Sequence, residues 1–330
     1  DALDELRGKP VKGNHVVTTV DLEAQRVAMQ QLGDQCGAVV ALDPRDGKVL
    51  AMASSPSFDP NLVENRFNVI SRIDADCASP SPLLNRASAG LYVPGSTFKV
   101  ITAAAALESR KFTPSSTFTD PGYCTVYGRR VNNFDTSSPF GTIDLESALA
   151  YSVNSVFCNI GKALGAKRIL DTAKQFGFYE LPPLETPPDE RRASGLYEDG
   201  RLYYPARDPD VDAGRMAFGQ ERMLVTPLQM AMVAGAIGNR GKLYEPQAVD
   251  RIVSPRRAVV LRQQPRLTGE TGVPGSNITW FIAFASRDES TPAELAVAVV
   301  LQNQSGTGGT TAAPIAQAVM QAILSESGNP

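Results

Sequence analysis

Histidine is nearly absent from this sequence: His15 is the only one, and it sits in the N-terminal lead-in. A Ser-His-Asp or Cys-His enzyme would have to draw its whole base function from that residue. Nucleophilic chemistry here would therefore use a lysine or a carboxylate as base. Cysteine is also scarce. Cys36, Cys77, Cys124 and Cys158 form no CxxC pair, which argues against zinc and thioredoxin-like sites. Four cysteines permit two disulfides and equally permit separate thiols. No apolar run reaches the length of a bilayer-spanning helix. The longest clean stretch, Val100 to Leu107, is alanine-rich and reads as a core helix. A signal peptide is lacking too, and the abrupt start at Asp1 suggests a soluble piece of a longer protein. Basic excess is missing: the net charge is −3, without the basic stripe of a nucleic-acid or anionic-membrane binder.

What is present suits a folded domain. The chain has 330 residues, 42% of them apolar and 20% charged with mixed sign, enough for a sizeable core. The alternating Val16 to Val20 suggests an extended entry strand, and Asp21 an N-cap for a helix to about Leu32. Ala38–Leu42, a turn over Asp43-Pro44-Arg45-Asp46-Gly47, and Lys48–Ala53 predict an antiparallel hairpin. Residues 54 to 95 read as loop with short helix, and a helix is expected from about Ser96 to Glu108. Residues 111 to 141 are turn-rich, and helical patterning returns from Leu145 to Phe176. Thr226 to Asn239 is apolar, with Pro227 suited to a helical first turn. Trp280–Ser286 and Leu295–Leu301 read as strands, and Thr311 to Leu324 as a last helix. Strands at both ends with helix and loop between predict an α/β (α+β) fold: one antiparallel sheet flanked by helices, with an all-helical subdomain inserted. Residues 1–36 form a lead-in strand and helix. Residues 37–330 form the main domain, its sheet drawn from 37–53 and 266–301 and its helical insertion from roughly 96–240.

Two constellations carry candidate chemistry. In Pro94-Gly95-Ser96-Thr97-Phe98-Lys99 a turn opens a helix, so Ser96 and Lys99 share one face, three residues apart. Burial and the positive helix end would lower the lysine pKa and make a neutral amine available as base for the serine hydroxyl. An ordinary N-cap with a solvated lysine gives the same short pattern. Downstream, Ser152-Val153-Asn154 could aim a hydroxyl and an amide at one cleft, the first to relay a proton, the second to hold a peptide bond. Alone, it too reads as polar residues at a helix start.

Taken in order with their surroundings, these residues resemble the transpeptidase domain of class B penicillin-binding proteins. The resemblance extends over Gly37–Pro44 and Gly47–Ala53, the loop Pro56-Ser57-Phe58-Asp59-Pro60-Asn61, Leu84-Asn85-Arg86-Ala87 and Tyr92–Lys99. It continues through Ala217-Phe218-Gly219-Gln220, Val225–Ala231 and Trp280–Ala285, spanning nearly the whole chain. It implies that Ser96 is the acylated nucleophile, Lys99 its base and Ser152 a proton relay. Asn154, Thr268, Gly269 and Glu270 are implied as substrate-binding residues. The reaction would be D,D-transpeptidation: attack on a D-Ala-D-Ala bond of a peptidoglycan stem peptide, an acyl-enzyme, and transfer to a neighbouring amine. The Ser96 amide and an amide of the third motif would form the oxyanion hole. Stem peptides and β-lactam antibiotics are the implied ligands and a membrane glycosyltransferase a further partner, with no cofactor, metal or nucleic acid. The location implied is the extracytoplasmic face of the bacterial membrane, reached through an anchor outside this chain.

The sequence departs from the family at the third motif, ordinarily Lys-Thr-Gly followed by a hydroxyl residue. Aligned on Thr268-Gly269, Leu267 takes the place of the lysine and Glu270 of the hydroxyl residue. Aligned on Thr271-Gly272, Glu270 takes the place of the lysine and Val273 of the hydroxyl residue. The distance to Trp280 favours the first. A glutamate repels the substrate carboxylate that the lysine would attract, and slow acylation by β-lactams is expected. Two other readings share the fold: a scaffold of the wall-synthesis complex that keeps Ser96 by descent, and a β-lactam sensor or β-lactamase. The blocks around Phe218 and Pro227 argue against the last.

Overall fold

The strand Gly37–Leu42 is buried along its whole length, because its alternate side chains enter two different cores. Ala38, Val40 and Leu42 join one; Val39 and Ala41 join the other. The computed structural model describes residues 13–75, 77, 79–134, 138–205, 210–255, 257–270, 281–285, 291–302 and 308–326. Within them, Gly37–Leu42 pairs antiparallel with Val49–Ser55 on one side and Leu295–Leu301 on the other, and Phe281–Ala285 closes the order. This is the expected antiparallel sheet flanked by helices.

One face carries the helices Leu22–Leu32 and Gly308–Glu326. Ala24, Ala28 and Leu32 recur every fourth residue, so one stripe of the first helix is buried. Its start is fixed as expected, with Asp21 accepting from the Ala24 amide at 2.8 Å. The other face is covered by Pro227–Gly238, whose residues are almost all buried. Thr226 caps it, and Gly238 lets it approach the sheet: a Cβ there would stand 2.7 Å from both Ala293 and Phe284.

Beyond that helix, Lys99–Glu108 lies among Leu145–Ala150, Asn154–Leu164 and Ala166–Gln175. Its run Ala103–Ala106 is fully interior, which allows close helix packing. The turn-rich stretch holds two ladders that the sequence pattern does not announce: Thr117–Asp120 with Gly141–Asp144, and Tyr123–Val126 with Arg129–Asn132. Both pack on the Asn154–Leu164 helix. Disulfides join Cys36 to Cys77 and Cys124 to Cys158, which decides between paired cysteines and separate thiols. No helix among the described residues is long and apolar enough to cross a membrane.

One expectation is corrected. The sequence pattern places residues 266 onward in the main sheet, yet Leu267–Glu270 pairs with Lys242–Tyr244 in a separate ladder. The Glu245 amide donates to Arg266 O at 2.8 Å and the Thr268 hydroxyl to Leu243 O at 2.9 Å. These bonds pair one edge of that segment with Lys242–Tyr244, and Phe281–Ala285 is the outermost strand of the four-stranded sheet among the described residues.

Candidate active site

Ser96 lies in a 3₁₀ turn, Gly95–Phe98, that runs directly into the Lys99–Glu108 helix. The turn is held from behind. Gly95 N–H donates to Gly219 O at 3.1 Å, and the Thr102 hydroxyl donates to Ala217 O at 2.8 Å. Gly219 has a φ of 73°, and a Cβ on it would overlap the Gly95 carbonyl. Both its conformation and its position therefore require glycine. Tyr92 and Val225 exchange backbone hydrogen bonds just upstream. The Ala217–Gln220 block and the Val225 segment thus form the wall against which the serine turn is built.

The sequence places Lys99 one turn past Ser96, and folding buries it completely. Its Nζ lies 3.1 Å from Ser96 Oγ, 2.9 Å from Ser152 Oγ, 2.6 Å from Ser152 O and 2.6 Å from Asn154 Oδ1. All four partners are uncharged oxygens, so no counter-charge offsets the cost of desolvating an ammonium ion. Burial pushes Lys99 down from 10.5 to about 7. The neutral amine has two N–H donors and one lone pair. Ser152 O and Asn154 Oδ1 only accept, so they take the two donors. The lone pair then faces the two hydroxyls, either of which can donate to it. Asn154 Nδ2 donates to Asn132 O at 3.0 Å, which fixes the amide with its oxygen toward the lysine.

Ser152 and Asn154 meet the lysine because the chain reverses between two helices. Ser152 ends Leu145–Ala150 in the left-handed region, with a φ of 55°, a conformation that costs a non-glycine residue on the order of 1–2 kcal/mol. Asn154 opens the next helix. A buried polar network holds that opening to the two short ladders. Asp120 accepts from the Ser155 hydroxyl, the Asn133 amide, the Gly122 N–H and the Phe140 N–H. Asn133 Oδ1 accepts from the Ser155 N–H at 3.0 Å. Burial raises the Asp120 pKa, but these hydrogen bonds outweigh it and hold the carboxylate below its ordinary value. Cys124–Cys158 ties the same ladder to the same helix.

A buried, partly neutral lysine bridging two serines and an asparagine fits nucleophilic acyl transfer, and the comparison with known proteins agrees. The penicillin binding protein transpeptidase domain family matches residues 37–274. The chain belongs to that family.

Among penicillin-binding protein relatives, it is 33% identical to the peptidoglycan D,D-transpeptidase PbpA of Mycobacterium tuberculosis, over 97% of this chain and 74% of that relative. It superposes on M. tuberculosis penicillin-binding protein A, seen as a penicillin G acyl-enzyme complex, with a TM-score of 0.82 and 30% identity over 98% of this chain and 83% of that one. It also resembles a chain of a peptidoglycan synthase complex that coordinates polymerization and crosslinking. That match has a TM-score of 0.74 and 27% identity over 95% of this chain and 63% of that one.

Of the residues singled out from sequence, Ser96, Lys99, Ser152 and Asn154 come together. Thr268, Gly269 and Glu270 form a strand laddered to Lys242–Tyr244. Thr268 lines a cavity of about 440 Å³ with Lys174, Glu180, Leu243 and Glu245, a wall that includes none of the four clustered residues. Thr271 to Trp280 lie outside the described residues. Asp120, Asn132, Asn133 and Ser155 escaped sequence reasoning, because isolated polar residues in a turn-rich stretch carry no pattern. The cysteine pair was the available clue to which segments meet.

Proposed function

We propose that this chain is a D,D-transpeptidase that cross-links peptidoglycan stem peptides through an acyl-enzyme on Ser96. The supporting observation is the contact of buried Lys99 Nζ with Ser96 Oγ at 3.1 Å, with Ser152 and Asn154 closing the cluster. Lys99 takes the hydroxyl proton as Ser96 Oγ attacks the carbonyl of the D-Ala-D-Ala bond. The C–N bond breaks, and Ser152 passes a proton to the departing D-alanine amine. An acceptor amine then attacks the acyl-serine, a new amide forms, and Ser96 regains its proton. Asn154 keeps one amide hydrogen beyond its bond to Asn132 for the donor backbone. Acting on peptidoglycan requires the extracytoplasmic face of the membrane, and four cysteines paired in two disulfides fit that oxidising side.

The third motif slows this chemistry. Thr268 already spends its hydroxyl on Leu243 O, which favours the register in which Glu270 replaces the motif lysine and Val273 its hydroxyl residue. Glu270 falls within the motif in either register, and no lysine does. The same departure favours a second reading: an impaired member that scaffolds a wall-synthesis complex beside a membrane glycosyltransferase. Labelling with a fluorescent penicillin separates the two. Transpeptidase chemistry predicts stoichiometric but slow labelling that Ser96→Ala abolishes. A folded, unlabelled wild-type chain supports the scaffold, and rapid release of hydrolysed penicillin supports a β-lactamase.

A further inference from the structure

We propose that Asp120 is a positioning residue for the reaction: through Ser155 and Asn133 it sets the helix opening that brings Asn154 Oδ1 and Ser152 O to the Lys99 amine. The inference rests on acyl transfer at Ser96. The helix Asn154–Leu164 has no cap of its own, since Val153 before it carries no side-chain acceptor. Asn133 supplies one from the end of the neighbouring ladder, its Oδ1 accepting from the Ser155 N–H at 3.0 Å. The backbone carbonyl of Asn132, one residue earlier, accepts from Asn154 Nδ2 at 3.0 Å. Ser155 and Asn133 in turn both donate to Asp120. The orientation of the Asn154 amide and the start of its helix are therefore tied to one carboxylate.

Only a carboxylate suits that position. Asp120 is 1% exposed, and each of its hydrogen-bond partners donates: the Ser155 hydroxyl, the Asn133 amide and the N–H groups of Gly122 and Phe140. An amide or a protonated acid there would set a donor against donors. No lysine or arginine among the described residues neutralises the charge. A buried charge without a cation is a costly way to join a ladder to a helix. The join does not depend on it, because Cys124–Cys158 links the same two elements one turn further along the helix. What the disulfide leaves free is the first turn, where Ser152 and Asn154 meet Lys99. The carboxylate fixes that turn.

The test is a double-mutant cycle read by the second-order rate of benzylpenicillin acylation, with melting temperature followed in parallel. Asp120→Asn keeps the shape and removes the charge. It is expected to slow acylation about 100-fold, the size of a misplacement near 1 Å in a reacting cluster. In an Asn154→Ala background the same substitution should slow it less than about threefold, because the group it positions is gone. Ser155→Ala removes one bond to Asp120. It should slow acylation about tenfold, with the same dependence on Asn154, and it carries the test if Asp120→Asn does not fold. A wild-type rate in Asp120→Asn, or in Ser155→Ala where the first variant fails to fold, overturns the role. So does a loss of equal size with and without Asn154, which assigns the carboxylate to stability alone. A wild-type chain that benzylpenicillin does not acylate removes the Ser96 reading and the role of Asp120 together. An acylated wild type with unaffected variants removes the role of Asp120 alone.

Discussion

Lys99→Met is expected to lower the rate of Ser96 acylation by benzylpenicillin by about a thousandfold or more, the range associated with loss of a positioned base and an activated nucleophile. The chain should stay folded. Methionine fills a similar volume in a pocket already lined by Phe157, whose ring lies 5.7 Å from the amine. Removing Nζ leaves Ser152 O and Asn154 Oδ1 without their donor, at about 1–3 kcal/mol each. Against that, the cost of burying an ionisable amine disappears. A small change in melting temperature with lost labelling is the predicted pair of results. Lys99→Arg sharpens the test. Arginine keeps a positive charge but does not deprotonate near neutrality, so it should be as inactive as methionine. Arginine with near wild-type acylation would show that charge, not proton transfer, is what position 99 supplies.

Glu270→Lys carries the second large effect, in the opposite direction. A carboxylate about 6 Å from a substrate carboxylate, at an effective dielectric near 20, costs nearly 3 kcal/mol. Removing that repulsion alone corresponds to about 100-fold, and reversing the charge adds an attraction, so Glu270→Lys is expected to raise the benzylpenicillin acylation rate by at least about 100-fold, read by stopped-flow or a labelling time course. The expectation is independent of register, since Glu270 falls within the third motif in both. An unchanged rate would mean that the substrate carboxylate is held elsewhere, with the Leu267–Glu270 strand serving the Lys242–Tyr244 ladder alone.

The fold and the site were legible to different depths. The hairpin could be read because apolar strands flank Asp43-Pro44-Arg45-Asp46-Gly47, a turn with local chemistry of its own. Asp21 likewise marks a helix start through a bond made within three residues, and Pro227 through a ring that pre-sets the helical φ. Ser96 and Lys99 could be paired because one helical turn separates them. That Ser152 and Asn154 meet the same amine follows from the sequence only through the family resemblance, since the contact spans 53 and 55 residues. The Asp120 network was unreadable for a similar reason: its bond to Ser155 spans 35 residues and its strands have only four residues each. The third-motif segment misled because a strand-like stretch carries no label for its partner. Its placement is decided by backbone bonds to Glu245 and Leu243.

The pH dependence of acylation tests the central claim most directly. With Lys99 pushed by burial to about 7, protonation below that pH removes the lone pair facing Ser96. The second-order rate for benzylpenicillin should therefore climb tenfold per unit at low pH and level off above about 7. A rate that is flat between pH 5.5 and 8.5, or that rises only toward the ordinary lysine range near 10, would contradict a neutral Lys99 as the base.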